Sequence, residues 1–257
     1  MRKGTDSFWG AAIYHQALSR WAKSVRDAGT MRIGALRAQR TRARQLRTHL
    51  DRFIHAADER LSNPTGQLNT TPSVYNSDWT WRPSLWRARL AVPGLSALAQ
   101  KAPLGDDLSF HHDCTRSEIT VRQLRNALPS DQAPYGLQID ICHFHGSFFS
   151  MAIDIPNPIG SDLKRTQVVG LQCQINAERP LRIFARLNLR HGPNAEQITR
   201  EVDQSGPEAE VAFDLAFAKL HEARLEKAWI DLIFEHPQMN QLILRDMVLF
   251  RHPRAQL

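Results

Sequence analysis

The stretch LRIFARLNLR, residues 181–190, decides the fold class that this sequence predicts. Apolar side chains stand at every second position from Leu181 to Leu189, and arginine or other residues occupy the positions between them. Successive side chains of a β-strand point to opposite faces, so this alternation predicts a strand with one buried face and one mostly solvated face. Strands of this kind are typical of antiparallel sheets.

The same alternation recurs through the last two thirds of the chain. It is clear at 137–141, 169–175, 211–215, 228–234 and 242–248, and weaker at 107–112, 117–124 and 147–154. Turn-forming triplets such as Gly192-Pro193-Asn194 separate these segments, and 217–227 is the main segment of helical length. Eight to ten short strands so spaced predict an antiparallel β-sandwich of jelly-roll type, because a doubly wound parallel sheet would need crossover helices.

The first 60 residues show a helical period instead. Apolar residues recur on one side of 8–28 and again on one side of about 31–61, with Gly29 and Thr30 between them as a helix stop and a helix start. This pattern predicts an α-helical hairpin. Its apolar stripes are expected to pack against each other or the body, or to form a coiled coil with other copies.

A change in composition suggests the domain boundaries. The segment SNPTGQLNTTPSVYNS, residues 62–77, has neither helical nor alternating periodicity. We therefore expect a helical hairpin over 1–62, a linker over 63–77 and a β-sandwich over 78–257.

The positive charge is concentrated in the hairpin. Residues 1–60 hold 13 lysines and arginines against 5 acidic residues, whereas the whole chain has a net charge of only +7. One helical face carries four arginines: Arg37, Arg40, Arg44 and Arg47. This Arg stripe is either a solvated face or a contact for an acidic protein, a nucleic acid or an anionic membrane. A nucleic-acid partner is disfavoured because no recognisable nucleic-acid module accompanies the stripe.

Two groups of residues are candidates for ligand binding. The first is the tryptophan cluster Trp79, Trp81 and Trp86, a platform for stacking sugar rings or a plug at the sandwich edge. The second group lies on the polar faces of two predicted strands and comprises Arg186, Asn188, Arg190, Trp229 and Asp231. If these strands are neighbours, an aromatic ring beside planar polar groups would suit a polyhydroxylated ligand. Cross-strand ion pairs on a solvated face are the structural alternative.

Evidence for catalysis or a cofactor is weak in the sequence. His143 and His145 would share a face of a strand, which allows a metal site, but no third ligand stands at a compelling spacing. No signature of a hydrolase, a phosphate loop or a dinucleotide site is present. We therefore expect no cofactor and favour a non-enzymatic protein, with a sugar-acting, metal-assisted enzyme as the alternative.

Cysteine usage and hydropathy bear on location. Three cysteines without a CxxC spacing indicate a reducing compartment, and no apolar run is long enough for a membrane span. The expected location is the cytoplasm, or a particle released by lysis.

Three segments carry a resemblance to a known family: HHDCTRSEITVRQLRN at 111–126, RIFARLNLRHGPNAEQI at 182–198, and FDLAFAKLHEARLEKAWIDLIFEHPQMNQLILRD at 213–246. There the chain resembles an uncharacterised family of alphaproteobacterial proteins, and the resemblance spans the full length. It implies a bacterial source and a link to components of phage-like particles, but it supplies no catalytic residues.

The sequence thus predicts a binding or structural protein. Its sandwich would recognise a glycan or a protein, and residues 1–62 would dock to a protein partner or self-associate, as in a spike or adaptor of a phage-like particle. A nucleic-acid-associated protein that works through the Arg stripe is a further alternative.

Overall fold

The computed structural model of the chain describes residues 6–62, 74–206 and 208–254. Two long helices come first: α1, Asp6–Asp27, and α2, Ile33–Ser62. Both lie close to the predicted bounds. Most of the predicted linker, residues 63–73, lies outside the described residues.

The turn between the helices differs in detail from the expectation. The Thr30 hydroxyl donates to the carbonyl of Asp27, 3.2 Å away, so it closes α1 rather than capping α2. The described glycines with positive φ are Gly105 and Gly192, so Gly29 does not take the left-handed conformation expected of it. The backbone N–H of Thr30 donates to the same Asp27 carbonyl at 3.1 Å, so both groups of Thr30 contribute to the end of α1.

The two helices bury little apolar surface. Trp21 of α1, Ala28 just after α1 and Ala43 of α2 are half-buried, and Gln39 Nε2 donates to Ser24 Oγ across the pair at 3.0 Å. The larger apolar side chains remain exposed, among them Ile13, Tyr14, Leu18, Val25, Ile33, Leu36, Leu46, Leu50, Phe53 and Ile54. Mutual burial of the stripes is therefore incomplete. Internal contacts divide the chain into two compact units between Phe53 and Ile54, within α2.

The remainder is an antiparallel β-sandwich, as predicted. Seven strands form one layer, and six of them lie in this order across the sheet: β11 (Ala209–Asp214), β8 (Gln167–Ala177), β13 (Asn240–Pro253), β6 (Tyr135–Ile141), β5 (Ile119–Arg125) and β2 (Gly94–Leu95). The seventh strand of this layer, β1 (Trp79–Trp81), pairs with the far end of β13.

The second layer has six strands. Their order is β10 (Asn194–Glu201), β9 (Ile183–His191), β12 (Leu225–Phe234), β7 (Phe149–Asp154), β4 (Leu108–His112) and β3 (Lys101–Leu104). The alternating apolar residues of both layers form one core, in which Phe110, Phe149, Phe213 and Phe234 are almost completely buried. Burial alternates along β3 and β4, whereas β7 is buried on both faces.

Two short segments depart from the expectation. Residues 217–227 were expected to be helical, but this region contains only the 3-10 turns Leu215–Phe217 and Glu222–Arg224 before β12 begins. A short helix, α3 (Ser84–Arg87), places Leu85 and Trp86 in the core. Among the described helices, none is long and apolar enough to cross a membrane.

Candidate functional site

Strands β9 and β12 are neighbours, and this pairing brings the second candidate group together. Asn188 lies opposite Trp229, and Arg186 lies opposite Asp231. All four side chains belong to the sheet face that points away from the core. The sequence predicted this group on the assumption that the two strands are adjacent, and the assumption is correct.

A groove of about 500 Å³ lies over this face. Strands β4, β7, β9, β10 and β12 contribute to it, together with Phe148 just before β7. Its lining residues are His111, Phe148, Ser150, Ala152, Arg186, Asn188, Gln197, Trp229, Asp231 and Ile233. The side chains that β7 contributes to the groove, Ser150 and Ala152, are small. Ser150 pairs with His111 on β4, and Ala152 pairs with Asp231 on β12. Small residues between larger neighbours leave room for a ligand above the middle of the sheet.

A polar network forms the floor of the groove. The Nε and Nη2 atoms of Arg186 donate to Asp231 Oδ2 at 3.2 and 2.8 Å. Asn188 Nδ2 donates to the same oxygen at 2.9 Å, and also to the carbonyls of Arg186 and Trp229. Asn188 and Asp231 are both buried, and the network holds their side chains in fixed orientations.

One polar atom of this network has no hydrogen-bond partner. Asn188 Oδ1 is buried and accepts no hydrogen bond from any residue in the described part of the chain. A buried acceptor without a donor costs free energy, about 1–3 kcal/mol, and is uncommon in folded proteins. Because solvent does not reach this oxygen, it adds to the polarity of the groove floor without itself being open to a ligand.

Aromatic rings line the groove as well. Trp229 is half-buried, and Lys227 Nζ lies 5.9 Å from the centre of its ring. The Lys227 ammonium also binds Asp154 at 2.7 Å, so its charge is compensated. Phe148 is 44% exposed. Aromatic surface beside planar hydrogen-bonding groups is a combination that suits the faces and hydroxyls of a sugar.

His111 closes the groove on the β4 side. Its Nε2 atom lies 3.0 Å from Ser109 Oγ. Desolvation lowers the pKa of His111 below its ordinary value of 6.5, Asp231 opposes this effect, and Lys101 reinforces it. The imidazole is therefore neutral at pH 7.

The tryptophan cluster does not join this groove. Trp79 and Trp81 stack with ring centres 6.4 Å apart, as residues on one face of a strand, but they lie on β1 of the other sheet and pack against the core. Trp86 is fully buried, and its Nε1 donates to the carbonyl of Leu244. Its assignment as a ligand-binding residue is wrong, because the indole fills the core and its donor is used.

Arg190 shares the outer face of β9 with the groove residues but is not part of the groove lining. Its Nε donates to Glu226 Oε2 at 3.1 Å, an exposed cross-strand pair of the kind expected on a solvated sheet. The sequence did not indicate Phe148, Ser150, Ala152 or Gln197, because their place in the groove depends on strand order and not on a local motif.

The histidine pair shows no metal site. The rings of His143 and His145 stack with centres 5.7 Å apart, and His145 Nε2 lies 3.0 Å from Thr115 Oγ1. Within the described ranges no group of three or more His, Cys, Asp or Glu residues could hold a metal ion.

The Arg stripe lies on α2, as predicted, and all four side chains are exposed. Arg47 binds Asp51 one turn later at 3.3 Å. For Arg37, Arg40 and Arg44, the described residues supply no carboxylate within ion-pair distance of the guanidinium groups. Exposed apolar residues of the same helix, such as Leu36 and Leu46, stand close to them in sequence.

The fold defines the chain as an antiparallel β-sandwich preceded by two helices, with a groove on the outer face of one sheet. By its sequence, the chain belongs to the family of unknown function DUF6478, whose model matches residues 1–257. None of the curated proteins matches it.

Several solved β-rich structures are similar to part of the chain. An enzymatically active domain of tailspike protein 4 from bacteriophage CBA120 is 10% identical over 63% of this chain, with a TM-score of 0.41, and the match covers 22% of that domain's chain. A family 11 carbohydrate-binding module from Clostridium thermocellum, in complex with a mixed-linked tetrasaccharide, is 8% identical over 63% of this chain and 97% of its own, with a TM-score of 0.39. A xylan-binding domain from Paenibacillus barcinonensis is 9% identical over 63% of this chain and 95% of its own, with a TM-score of 0.35.

Proposed function

We propose that this protein is a glycan-binding protein and that the groove over β9 and β12 is its binding site. The observation that carries the proposal is the meeting of Trp229 with the Arg186, Asn188 and Asp231 network on one open sheet face. A sugar offers an apolar ring face and a rim of hydroxyls. The indole suits the first, and the amide and carboxylate suit the second.

The groove dimensions agree with a small ligand. A volume of about 500 Å³ falls in the range of roughly 300–1,000 Å³ that is usual for small-molecule sites. Its residues stand on paired strands rather than on long loops, so the site is rigid before the ligand arrives. Rigid sites lose less conformational entropy on binding.

Affinity electrophoresis in gels that contain neutral polysaccharides tests this proposal. The panel would hold glucans, galactans, xylans and arabinans, each at several concentrations. We expect at least one polysaccharide to retard the full chain. The variant Trp229→Ala should lose this retardation, because it removes the indole face on which a sugar ring would stack.

A matched control separates the groove from other exposed aromatic surface. Phe217 is 77% exposed and stacks with Arg254 outside the groove. The Phe217→Ala variant should keep the retardation of the unmodified chain. Equal loss in both variants, or no retardation by any polysaccharide, would contradict the proposal. Recovery of the glycan in chemically altered form would favour the sugar-acting enzyme instead.

A second proposal concerns the helical hairpin. We propose that residues 1–62 dock onto an acidic protein partner. Support comes from Arg37, Arg40 and Arg44, which lack ion-pair partners in the described ranges, and from exposed apolar side chains of the same helix such as Phe53, which is 71% exposed. Apolar patches rimmed by charge are typical of protein contacts, and like charges on two copies of the Arg stripe would repel each other.

Salt-dependent retention on immobilised poly-L-glutamate tests the docking proposal. The double variant Arg40→Glu, Arg44→Glu should lose retention, whereas a variant with the same change in charge on the sandwich, Arg200→Glu, Arg224→Glu, should keep it. Stronger retention on duplex DNA than on poly-L-glutamate would favour a nucleic-acid partner. Self-association in sedimentation, lost in the first variant only, would favour assembly of copies.

The cellular setting is the remaining part of the proposal. A glycan-binding sandwich with a docking arm would serve as a spike or adaptor of a phage-like particle, made in the cytoplasm and released by lysis. Its support is the family resemblance of the sequence. The test is to purify such particles from a bacterium that encodes the chain and to analyse them by mass spectrometry. Peptides of this chain in the particles would support the proposal, and particles without them would contradict it.

A further inference from the structure

We infer that the groove selects uncharged glycans over glycans that carry carboxylate or sulfate groups. This inference rests on the proposed glycan-binding function and adds the class of ligand. It follows from the hydrogen-bonding capacity that remains unused on the groove floor.

The first unused position is Asn188 Oδ1. The orientation of an amide must be inferred from its surroundings, and here the surroundings decide it. Three acceptors lie within hydrogen-bond distance of one amide end: Asp231 Oδ2, the Arg186 carbonyl and the Trp229 carbonyl. That end must be the NH₂ group, so the atom without a partner is the oxygen, which can only accept.

The second unused position is on Asp231. Its Oδ2 atom receives all three donated hydrogen bonds, two from Arg186 and one from Asn188. Its Oδ1 atom receives none from side chains or backbone in the described ranges. A carboxylate oxygen can accept about two hydrogen bonds. The charged Asp231 Oδ1 is therefore the acceptor that a ligand can reach, whereas Asn188 Oδ1 on the adjacent strand is shielded from solvent.

Hydroxyl groups match this acceptor, and anionic groups do not. A sugar hydroxyl donates its hydrogen to an oxygen such as Asp231 Oδ1. A ligand carboxylate or sulfate has no hydrogen to donate at neutral pH and would face Asp231 with a like charge. Bringing like charges together in a partly desolvated site is unfavourable.

The cations around the groove leave no net positive charge for an anionic ligand. The Arg186 guanidinium keeps N–H groups that it does not donate to Asp231, but its charge is offset by that carboxylate, and the lowered pKa of His111 favours the neutral imidazole. On the same face, Lys227 is paired with Asp154 and Arg190 with Glu226. Lys101, near His111, is exposed and does not line the groove. The lining thus has balanced charge.

The test compares one polysaccharide with its own oxidised form. A neutral glucan that retards the protein is oxidised at C6, which turns the primary alcohol into a carboxylate and leaves the backbone unchanged. We expect the affinity for the oxidised form to be lower by at least about tenfold, the equivalent of 1.4 kcal/mol. Where a glycan without a C6 alcohol is the better probe, a carboxymethylated and a hydroxyethylated form provide the same comparison.

The variant Asp231→Asn tests whether the charge of Asp231 causes the preference for the neutral glycan. It keeps the shape of the side chain but removes the charge, and it leaves the Arg186 guanidinium uncompensated. We expect the affinities of this variant for the neutral and the oxidised glycan to lie within about threefold of each other. If circular dichroism shows that this variant does not fold, Gln197→Lys places a positive charge at the exposed rim and should narrow the difference in the same direction.

The outcomes are distinguishable from those of the proposed function. Equal or tighter binding of the oxidised glycan by the unmodified chain overturns the selectivity and leaves glycan binding intact. A preference for the neutral form that neither Asp231→Asn nor Gln197→Lys reduces also overturns it. Failure of every neutral and anionic glycan to bind overturns both.

Discussion

Arg82 and Asp246 form a bidentate ion pair inside the sandwich. Arg82 Nε lies 2.8 Å from Asp246 Oδ1, and Arg82 Nη2 lies 2.8 Å from Asp246 Oδ2. Both side chains are almost completely buried, and Asp246 also accepts from the backbone N–H of Met247. The pair joins the segment after β1 to a bulge in β13, where the pairing register with β8 shifts.

Removal of one partner of this ion pair should strongly destabilise the sandwich. We expect Arg82→Leu to lower the free energy of unfolding by about 3–5 kcal/mol, because Asp246 is left buried and charged. The double variant Arg82→Leu, Asp246→Leu should recover much of this loss, since no unpaired charge remains. Urea unfolding followed by tryptophan fluorescence measures both values. A double variant as unstable as the single one would contradict this explanation.

The three cysteines should differ in reactivity. Cys114 and Cys173 are buried and Cys142 is exposed, and all three are free thiols. Burial, with a smaller effect of Asp246, raises the pKa of Cys173 to about 12, so its thiol stays protonated. We expect Ellman's reagent to modify one thiol per chain in the native protein and three in urea. The Cys142→Ser variant should show none before unfolding.

His111 should make the stability of the sandwich depend on pH. Its pKa is lowered in the folded state, mainly by desolvation, so the unfolded chain takes up this proton first as the pH falls. The associated stability is present above pH 6.5 and is lost as the pH falls through the folded pKa. Asp231, Lys101 and Arg186 are the charged groups around it.

The His111→Gln variant provides the control for this pH effect. Unfolding midpoints measured between pH 8 and pH 5 should fall less steeply below pH 6.5 in this variant than in the unmodified chain. Identical slopes in the two proteins would show that other groups cause the pH dependence.

At the scale of elements, the contact between β8 and β13 depends on one glycine. Gly170 pairs with Phe250, whose ring covers the glycine so closely that a Cβ atom would overlap it. Phe250 is itself buried. A side chain at position 170 would force the ring or the strand to move.

We expect Gly170→Ala to lower the free energy of unfolding of the sandwich by about 1–3 kcal/mol, the usual cost of overpacking a core. Gly34→Ala is the contrasting control. Position 34 lies in α2 with open space around it, so alanine should increase helix stability there by up to about 1 kcal/mol. Thermal unfolding followed by circular dichroism would register both effects. A neutral Gly170→Ala would show that the Phe250 ring can move aside.

The sequence predicts long strands well and short or polar ones poorly. Alternation over five or more residues identifies β6, β8, β9, β12 and β13, because each buries one face in the core. Strand β2 has two residues, which is too few for a period, and β10 is an edge strand whose residues are all at least partly exposed. The apolar side chains of 217–227 suggested a helix, yet this segment is held by 3-10 turns.

The groove was predictable only in part. Arg186, Asn188, Trp229 and Asp231 lie on two strands whose polar faces are visible in the sequence. The contributions of His111 and Phe148 depend on the order β9-β12-β7-β4, which local patterns do not encode. Trp86 was grouped with Trp79 and Trp81 because they are close in the sequence, yet its indole is part of the core.

At the scale of the whole molecule, the sandwich has a core of its own. Every residue of the main apolar cluster, including those packed at its edge, lies at Trp79 or later in the chain. We therefore expect deletion of residues 1–62 to leave a soluble, folded sandwich that keeps glycan binding and loses retention on poly-L-glutamate. Size-exclusion chromatography and circular dichroism test the fold. An insoluble product would show that the helices contribute to the core.

Strand β13 also has a consequence for biosynthesis. It pairs with β1, β6 and β8, yet it follows all of them in the chain. A ribosome therefore delivers these three partners before the strand that joins them, and their hydrogen-bonding edges stay open until then. Open edges invite pairing with other nascent chains, so slow synthesis over residues 200–240 should favour aggregation, and chaperones that shield such edges should increase the yield.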